Sequence, residues 1–257
     1  MAVSSKSIIH YTGSLKNLKG IITDKGLRIK YCNETIHFSS TSRASIAFPM
    51  VCFCDLPLTL AKEHIVKYGS YGIGFSKSWA KKNQLNPVLY LEPESTLSQY
   101  LNVHSLSVAA SFTKLRDAQM DATKEEENFF RLSQVLGFCK NHAGPLTRKG
   151  KIVEENYVFY DEREWRYLAR QSELGEARSM VYGEHYDKDR NRYNEALKDK
   201  RLIFDSNDIS YIIVKTDKDI PVIADCLDAR YRSEIPMTEL QKLYTKIISV
   251  NQINNDF

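Results

Sequence analysis

The stretch Tyr160-Asp161-Glu162-Arg163-Glu164-Trp165-Arg166-Tyr167 sets two carboxylates two positions apart in a segment that reads as a strand. Alternate side chains of a strand share a face, so Glu162, Glu164 and Arg166 would project together, with Arg163, Trp165 and Tyr167 on the other side. Charges packed this closely on one face mark a candidate site. Mutual repulsion pushes one pKa of such a pair upward, toward the range of a general base, and Arg166 would limit that shift. A solvated edge strand with weak Glu/Arg surface pairs carries the same pattern.

Two other segments could face this pair. Ser7-Ile8-Ile9-His10-Tyr11-Thr12 reads as a short strand ending in polar residues. Ser14 then caps an amphipathic helix through Leu15, Leu18, Ile21 and Ile22, which stops at Gly26. The apolar run from Ile46 to Asp55 contains Cys52-Phe53-Cys54 and leads, through a helix starting at Pro57, to Tyr68-Gly69-Ser70-Tyr71-Gly72 and another strand. Further along, Ser76 to Gln84 reads as helix and Val88 to Leu91 as strand. From about Ser95 to Cys139 the pattern is helical, without strand alternation until Tyr157. Strands are expected at Val158 to Ala169, Arg201 to Phe204, Ile209 to Lys215 and Pro221 to Ile223, and a last helix at Thr238 to Val250. The expected architecture is one α/β (α+β) domain over residues 1–257 with a helical insertion at about 95–156.

Composition narrows the classes. The 257 residues are 42% hydrophobic and 11% aromatic, enough for a sizeable core, with a net charge of +4. That charge excludes a histone-like binder but leaves local basic clusters at Lys77 to Lys82, Arg148-Lys149-Gly150-Lys151 and Lys188 to Arg201. The last reads as a surface helix or mobile loop in which Tyr186 and Tyr193 could stack on bases. No run approaches the ~20 apolar residues of a membrane span, and the amino end lacks a signal-peptide core, so a cytoplasmic location is expected. The five cysteines and six histidines show no zinc-ligand spacing, and Cys52 and Cys54 suit buried strand thiols better than a disulfide.

The opening Ile8-Ile9-His10-Tyr11-Thr12, Leu15, Leu18, Ile21-Ile22 and Gly26-Leu27 resembles the first strand and helix of ADP-ribosyltransferase-like folds, particularly DarT-type toxins that modify nucleic acids and RNA phosphotransferases. That resemblance implies a split mixed β-sheet and NAD as ADP-ribose donor. His10, Tyr11 and Thr12 would sit on the NAD, Tyr68 or Tyr71 would stack on nicotinamide, and Glu164 would be catalytic with Glu162 beside it. Arg28 or Arg43 would pair with the pyrophosphate, and Arg43 and Arg166 are placed on the substrate side. The pattern departs from the family in lacking a Ser-Thr-Ser strand, since Ser39-Ser40-Thr41-Ser42 reads as a loop. No glycine-rich phosphate loop is present either.

Over nearly the whole chain Phe48-Pro49-Met50-Val51-Cys52-Phe53-Cys54-Asp55-Leu56-Pro57, Tyr68 to Phe75, Asn86-Pro87-Val88-Leu89-Tyr90 and Asp161 to Tyr167 resemble the AbiGi abortive-infection family, whose members are commonly labelled antitoxins. Together the resemblances imply a phage-defence toxin that transfers ADP-ribose to nucleic acid, single-stranded RNA ahead of DNA, and is held in check by a cognate antitoxin with or without a chaperone. The alternative they imply is a non-catalytic antitoxin or regulator. A metal nuclease using Asp55, Glu63 and His64 is a weaker third reading, because no second acidic cluster accompanies them.

Overall fold

The structure is a computed structural model that describes residues 5–148 and 151–256. The strand Arg43–Cys54 organises it. Its even residues Ile46, Phe48 and Met50 enter one apolar cluster, and its odd residues Ala47, Val51 and Phe53 enter another. Both faces are therefore covered, which explains a continuous apolar run where a half-exposed strand would alternate.

On one edge of this strand lie two partners that engage different ends. Lys30–His37 pairs from Lys30 opposite Met50 to His37 opposite Arg43, whereas Ser7–Thr12 pairs at Ile9 opposite Cys54. The two partners separate between Met50 and Cys54, so the sheet splits there. The His10 side chain enters the gap, with Nδ1 donating to the Cys52 carbonyl at 2.9 Å. On the other edge Glu164–Leu168 runs antiparallel, Glu164 opposite Cys54 and Leu168 opposite Met50, followed by Val181–Tyr182.

Among the described residues the sheet has nine strands. From Ser7–Thr12 it continues through Tyr71–Ser76 and Ile209–Val214 to Ile247–Ser249, and only that last pair is parallel. The architecture is thus mixed α/β, as expected. Helix Leu15–Asp24 begins where the sequence places it: Ser14 Oγ accepts from the Asn17 backbone at 3.2 Å. Lys25, at φ 47°, closes it one residue before Gly26. Helix Ala61–Tyr68 ends on Gly69 at φ 122°, where a Cβ would lie 2.4 Å from the Thr12 carbonyl oxygen. Only glycine lets the helix end close on the first strand and bring Tyr68 toward the split.

Four expectations are corrected. Residues 160–162 are not strand: Phe159–Glu162 is a 3-10 turn, Arg163 is left-handed at φ 46°, and the strand starts at Glu164. Pro221 to Ile223 lies inside helix Asp219–Tyr231, because a short buried apolar run has no period of its own. The last helix is interrupted: Met237–Tyr244 is followed by the strand Ile247–Ser249 and then helix Val250–Asp256. The insertion is helical only in Thr96–Asp117 and Thr123–Gly137, whose Phe112 and Phe129 rings stack at 5.5 Å. It continues as the short strand Cys139–Asn141 and a two-stranded ribbon, Ala143–Arg148 with Lys151–Val158, on which Ile152 and Val153 are exposed, so no buried stripe marked it in the sequence.

Candidate active site

At the split lies a cavity of about 960 Å³. His10 and Tyr11 line it from the first strand, Tyr68 from its helix, and Glu162 and Glu164 from the turn and strand beyond the long central strand. The sequence-predicted residues thus divide. These five are brought together, and Arg166 lies beside them, fully buried. Thr12, Arg28, Arg43 and Tyr71 are not part of the cavity wall. Thr12 Oγ1 accepts from Asn17 Nδ2 at 3.1 Å, Arg28 lies opposite Arg201 in a separate two-stranded pairing, and Arg43 is exposed at the far end of the hairpin. Tyr71 borders a second hollow and reaches Asp219 Oδ2 at 3.3 Å. Of the two tyrosines left open by the sequence, Tyr68 is the one in the cavity, stacked on His64 at 4.8 Å between centroids. Tyr186 and Tyr193 are packed with Tyr31 at 6.0 and 5.9 Å instead of being free to stack on bases.

The face assignment holds within the strand. Glu164 and Arg166 project together, while Trp165 and Tyr167 enter the opposite apolar cluster. Glu164 is held by a fork: Arg166 Nε donates to Oε1 at 2.7 Å and Nη2 to Oε2 at 3.1 Å. Lys140 Nζ donates to Oε2 of Glu164 at 2.9 Å and to Oε2 of Glu162 at 3.0 Å. Arg166 also pairs with Glu34 at 3.1 Å and donates to the carbonyls of Gly137 at 2.8 Å and Cys139 at 3.3 Å. The Tyr68 hydroxyl donates to Glu162, and the Glu164 backbone N–H donates to the Tyr90 hydroxyl at 2.8 Å.

The site therefore holds three carboxylates and two cations at its centre, and their protons sort accordingly. Burial alone would raise the Glu164 carboxyl, but Arg166 and Lys140 outweigh it and hold Glu164 well below the usual carboxylate range. Glu162 lies farther from Arg166; burial, then Glu164 and Glu34, push it up to about 8. One acid of the pair is thus an anion and the other carries a proton at neutral pH, which is the separation that acid/base work requires. His10 is lowered by burial, so it is neutral, and its donated Nδ1 hydrogen bond leaves Nε2 as an acceptor.

This arrangement predicts a pH profile. The Glu162 carboxyl titrates higher in the folded chain than its usual 4.5, so its contribution is complete at low pH and is lost as pH rises from about 4.5 to about 8. The part of the stability that wild type has and Glu162→Gln lacks, measured by urea unfolding, should fall over that interval by at most ~1.4 kcal/mol per pH unit; His10, neutral when folded, works in the opposite sense below about 6.5 in both proteins. Glu162→Gln should flatten the fall, and parallel profiles for variant and wild type would contradict the assignment.

Sequence reasoning missed Lys140, Glu34 and Tyr90. Lys140 carried a faint signal, a single lysine between Cys139 and Asn141, both buried, in a short strand parallel to Leu89–Leu91. Glu34 had none. The metal reading gains no support: Asp55 accepts from Lys77 at 2.6 Å and from the Ser5 backbone at 3.0 Å, whereas His64 stacks on Tyr68. The Glu63 side chain lies outside the described residues, as do Lys149 and Gly150 of the basic cluster. Among the described residues no group of three His, Cys, Asp or Glu side chains could hold a metal ion.

Comparison with known proteins defines the class as abortive phage resistance. A family model described as "Putative abortive phage resistance protein AbiGi, antitoxin" matches residues 26–215, and the chain belongs to this AbiGi family. It is similar to the abortive phage resistance protein AbiGi of Lactococcus lactis subsp. cremoris, 24% identical over 249 residues that cover 89% of this chain and 98% of the relative. No solved structure matches. No helix among the described residues is long and apolar enough to cross a membrane.

Proposed function

We propose that this AbiGi-family chain is a phage-defence toxin that transfers ADP-ribose from NAD to nucleic acid, to single-stranded RNA in preference to DNA. The observation that carries this reading is the meeting of His10, Tyr68, Glu162 and Glu164 in one cavity at a split in the sheet, from three separate parts of the chain. The split supports an ADP-ribosyltransferase-like fold. A cavity of about 960 Å³ is at the upper end of the ligand-site range, room enough for a dinucleotide. Among the described residues its wall contains neither Arg28 nor Arg43, so the pyrophosphate would be met without the clamp expected from them.

NAD would supply an ADP-ribosyl group whose bond to nicotinamide breaks, with the electron pair leaving on nicotinamide, as a bond to the deprotonated acceptor forms. Glu164, already anionic, is the residue to stabilise the positive charge that builds on the sugar, as a carboxylate does in glycoside cleavage. Glu162 would take the acceptor's proton. With its carboxyl titrating at about 8, it is ionised in only a fraction of molecules at pH 7. His10 Nε2 would accept a hydrogen bond from a ribose hydroxyl, and Tyr68, backed by His64, would offer the stacking face.

A second reading is a non-catalytic antitoxin. The family description favours it, and so does the full set of ion pairs on Glu164. In either reading a cognate protein is expected, with or without a chaperone. Helix Thr96–Asp117 offers it the exposed apolar side chains of Leu97, Tyr100, Val103 and Leu106, which wind around the helix. Expression separates the two. The chain alone, induced in bacteria, should arrest growth. Cells that tolerate it and are rescued by it from a neighbouring toxin would establish the antitoxin role instead.

A further inference from the structure

We infer that Lys140 is the cavity's own counter-ion, occupying the position that a positively charged ligand group takes when it binds. The inference rests on the transferase reading and deepens it by naming the charge class the site selects: a cationic ring or sugar centre. Lys140 Nζ donates to both glutamates, at 2.9 and 3.0 Å, and lies 4.7 Å from the Phe159 ring centroid, so an aromatic face, the Glu164 carboxylate and the Glu162 carboxyl together form a receptor for a cation. The ammonium lies on the cavity wall, with a side chain 16% exposed, whereas Arg166 is sealed beneath at 0%. Of the two cations on Glu164, only Lys140 has open space to move into.

The charges around it give the direction. Glu34, Glu162 and Glu164 face Arg166 and Lys140, and with one proton on Glu162 the cluster is neutral. While Lys140 stays in place, the field of Glu164 is cancelled and adds little to stabilising a developing cation. Moved aside, it leaves one net negative charge at the point where the sugar carbon becomes positive. Lys140 thus competes with a cationic ligand for the two acids: an uncharged ligand leaves the ammonium in place, whereas a cationic one must displace it and is bound less tightly for as long as Lys140 is there.

Two measurements test this. In the wild-type protein, acetylation of Lys140 by acetic anhydride, read by mass spectrometry, should rise severalfold when NAD is added, because the amine is released to solvent. Unchanged or reduced acetylation overturns the inference. In Lys140→Met, calorimetry should show the affinity for oxidised NAD relative to its reduced form, whose ring carries no charge, rising at least about tenfold over wild type. An unchanged or lower ratio also overturns it. If the variant does not fold, as circular dichroism would show, the acetylation experiment on the native chain decides alone. Equal binding of oxidised NAD by both proteins removes the role of Lys140 and leaves the transferase reading standing. Absence of binding to either removes both.

Discussion

Arg166→Met should cost about 3–5 kcal/mol of folding stability, the largest loss expected from any single substitution in the site. The guanidinium is 0% exposed and serves Glu164 twice, Glu34 once and the carbonyls of Gly137 and Cys139. Methionine fills much of the same volume but takes the guanidinium away from two carboxylates and two carbonyls, leaving Glu164 to Lys140. The penalty is that of stranding buried acceptors, larger than the net worth of the pair itself. Arg166→Lys should recover little, because one ammonium cannot reproduce a planar fork reaching carboxylates and carbonyls together. Urea unfolding at neutral pH measures both variants. A loss below about 1 kcal/mol, the size of an exposed ion pair, would show that the cluster is solvated and would undermine the charge states assigned to Glu162 and Glu164.

The second large effect is on chemistry. Glu164→Gln keeps the shape of the side chain and removes its charge, so transfer of ADP-ribose should fall by about 10²–10³-fold or more, the usual cost of deleting one electrostatic contact to a transition state. The amide still offers an oxygen to Arg166, but its NH₂ meets Arg166 or Lys140 donors, so some stability is lost as well. Near-ultraviolet circular dichroism taken alongside the rate separates a folded inactive variant from an unfolded one. A folded variant that transfers at the wild-type rate would exclude Glu164 as the charge-stabilising group.

These predictions rest on an arrangement that was partly legible in the sequence. Alternation along Glu164 to Tyr167 was enough to put Glu164 and Arg166 on one face and Trp165 and Tyr167 on the other, because that face partition is local to a strand. The Ser14 cap was legible for the same reason. Residues 160–162 carry a strand pattern because nothing in their composition announces the left-handed Arg163, which turns the chain and brings Glu162 back beside Glu164. Pro221 to Ile223 and Ile247–Ser249 were exchanged in kind, one a helix read as a strand and the other a strand read within a helix. Short apolar segments take their conformation from what covers them.

The partners of the acid pair were illegible for a different reason. Lys140 follows a helical pair, and Glu34 lies in the early hairpin; each reaches Glu164 or Arg166 only through the tertiary fold. The arginines expected on the pyrophosphate failed the other way. Arg28 and Arg43 have the right chemistry, but the strands that carry them turn it away from the split.

The central claim is that the carboxylate of Glu164 acts on a nucleotide sugar inside this cavity. Incubating the purified protein with NAD labelled in its adenylate, together with separate pools of single-stranded RNA, single-stranded DNA and protein, tests it most directly. The account predicts label on the RNA from the wild-type chain and none from Glu164→Gln; no label on any pool, from a folded wild-type chain, would contradict it and leave the antitoxin role as the reading of this cavity.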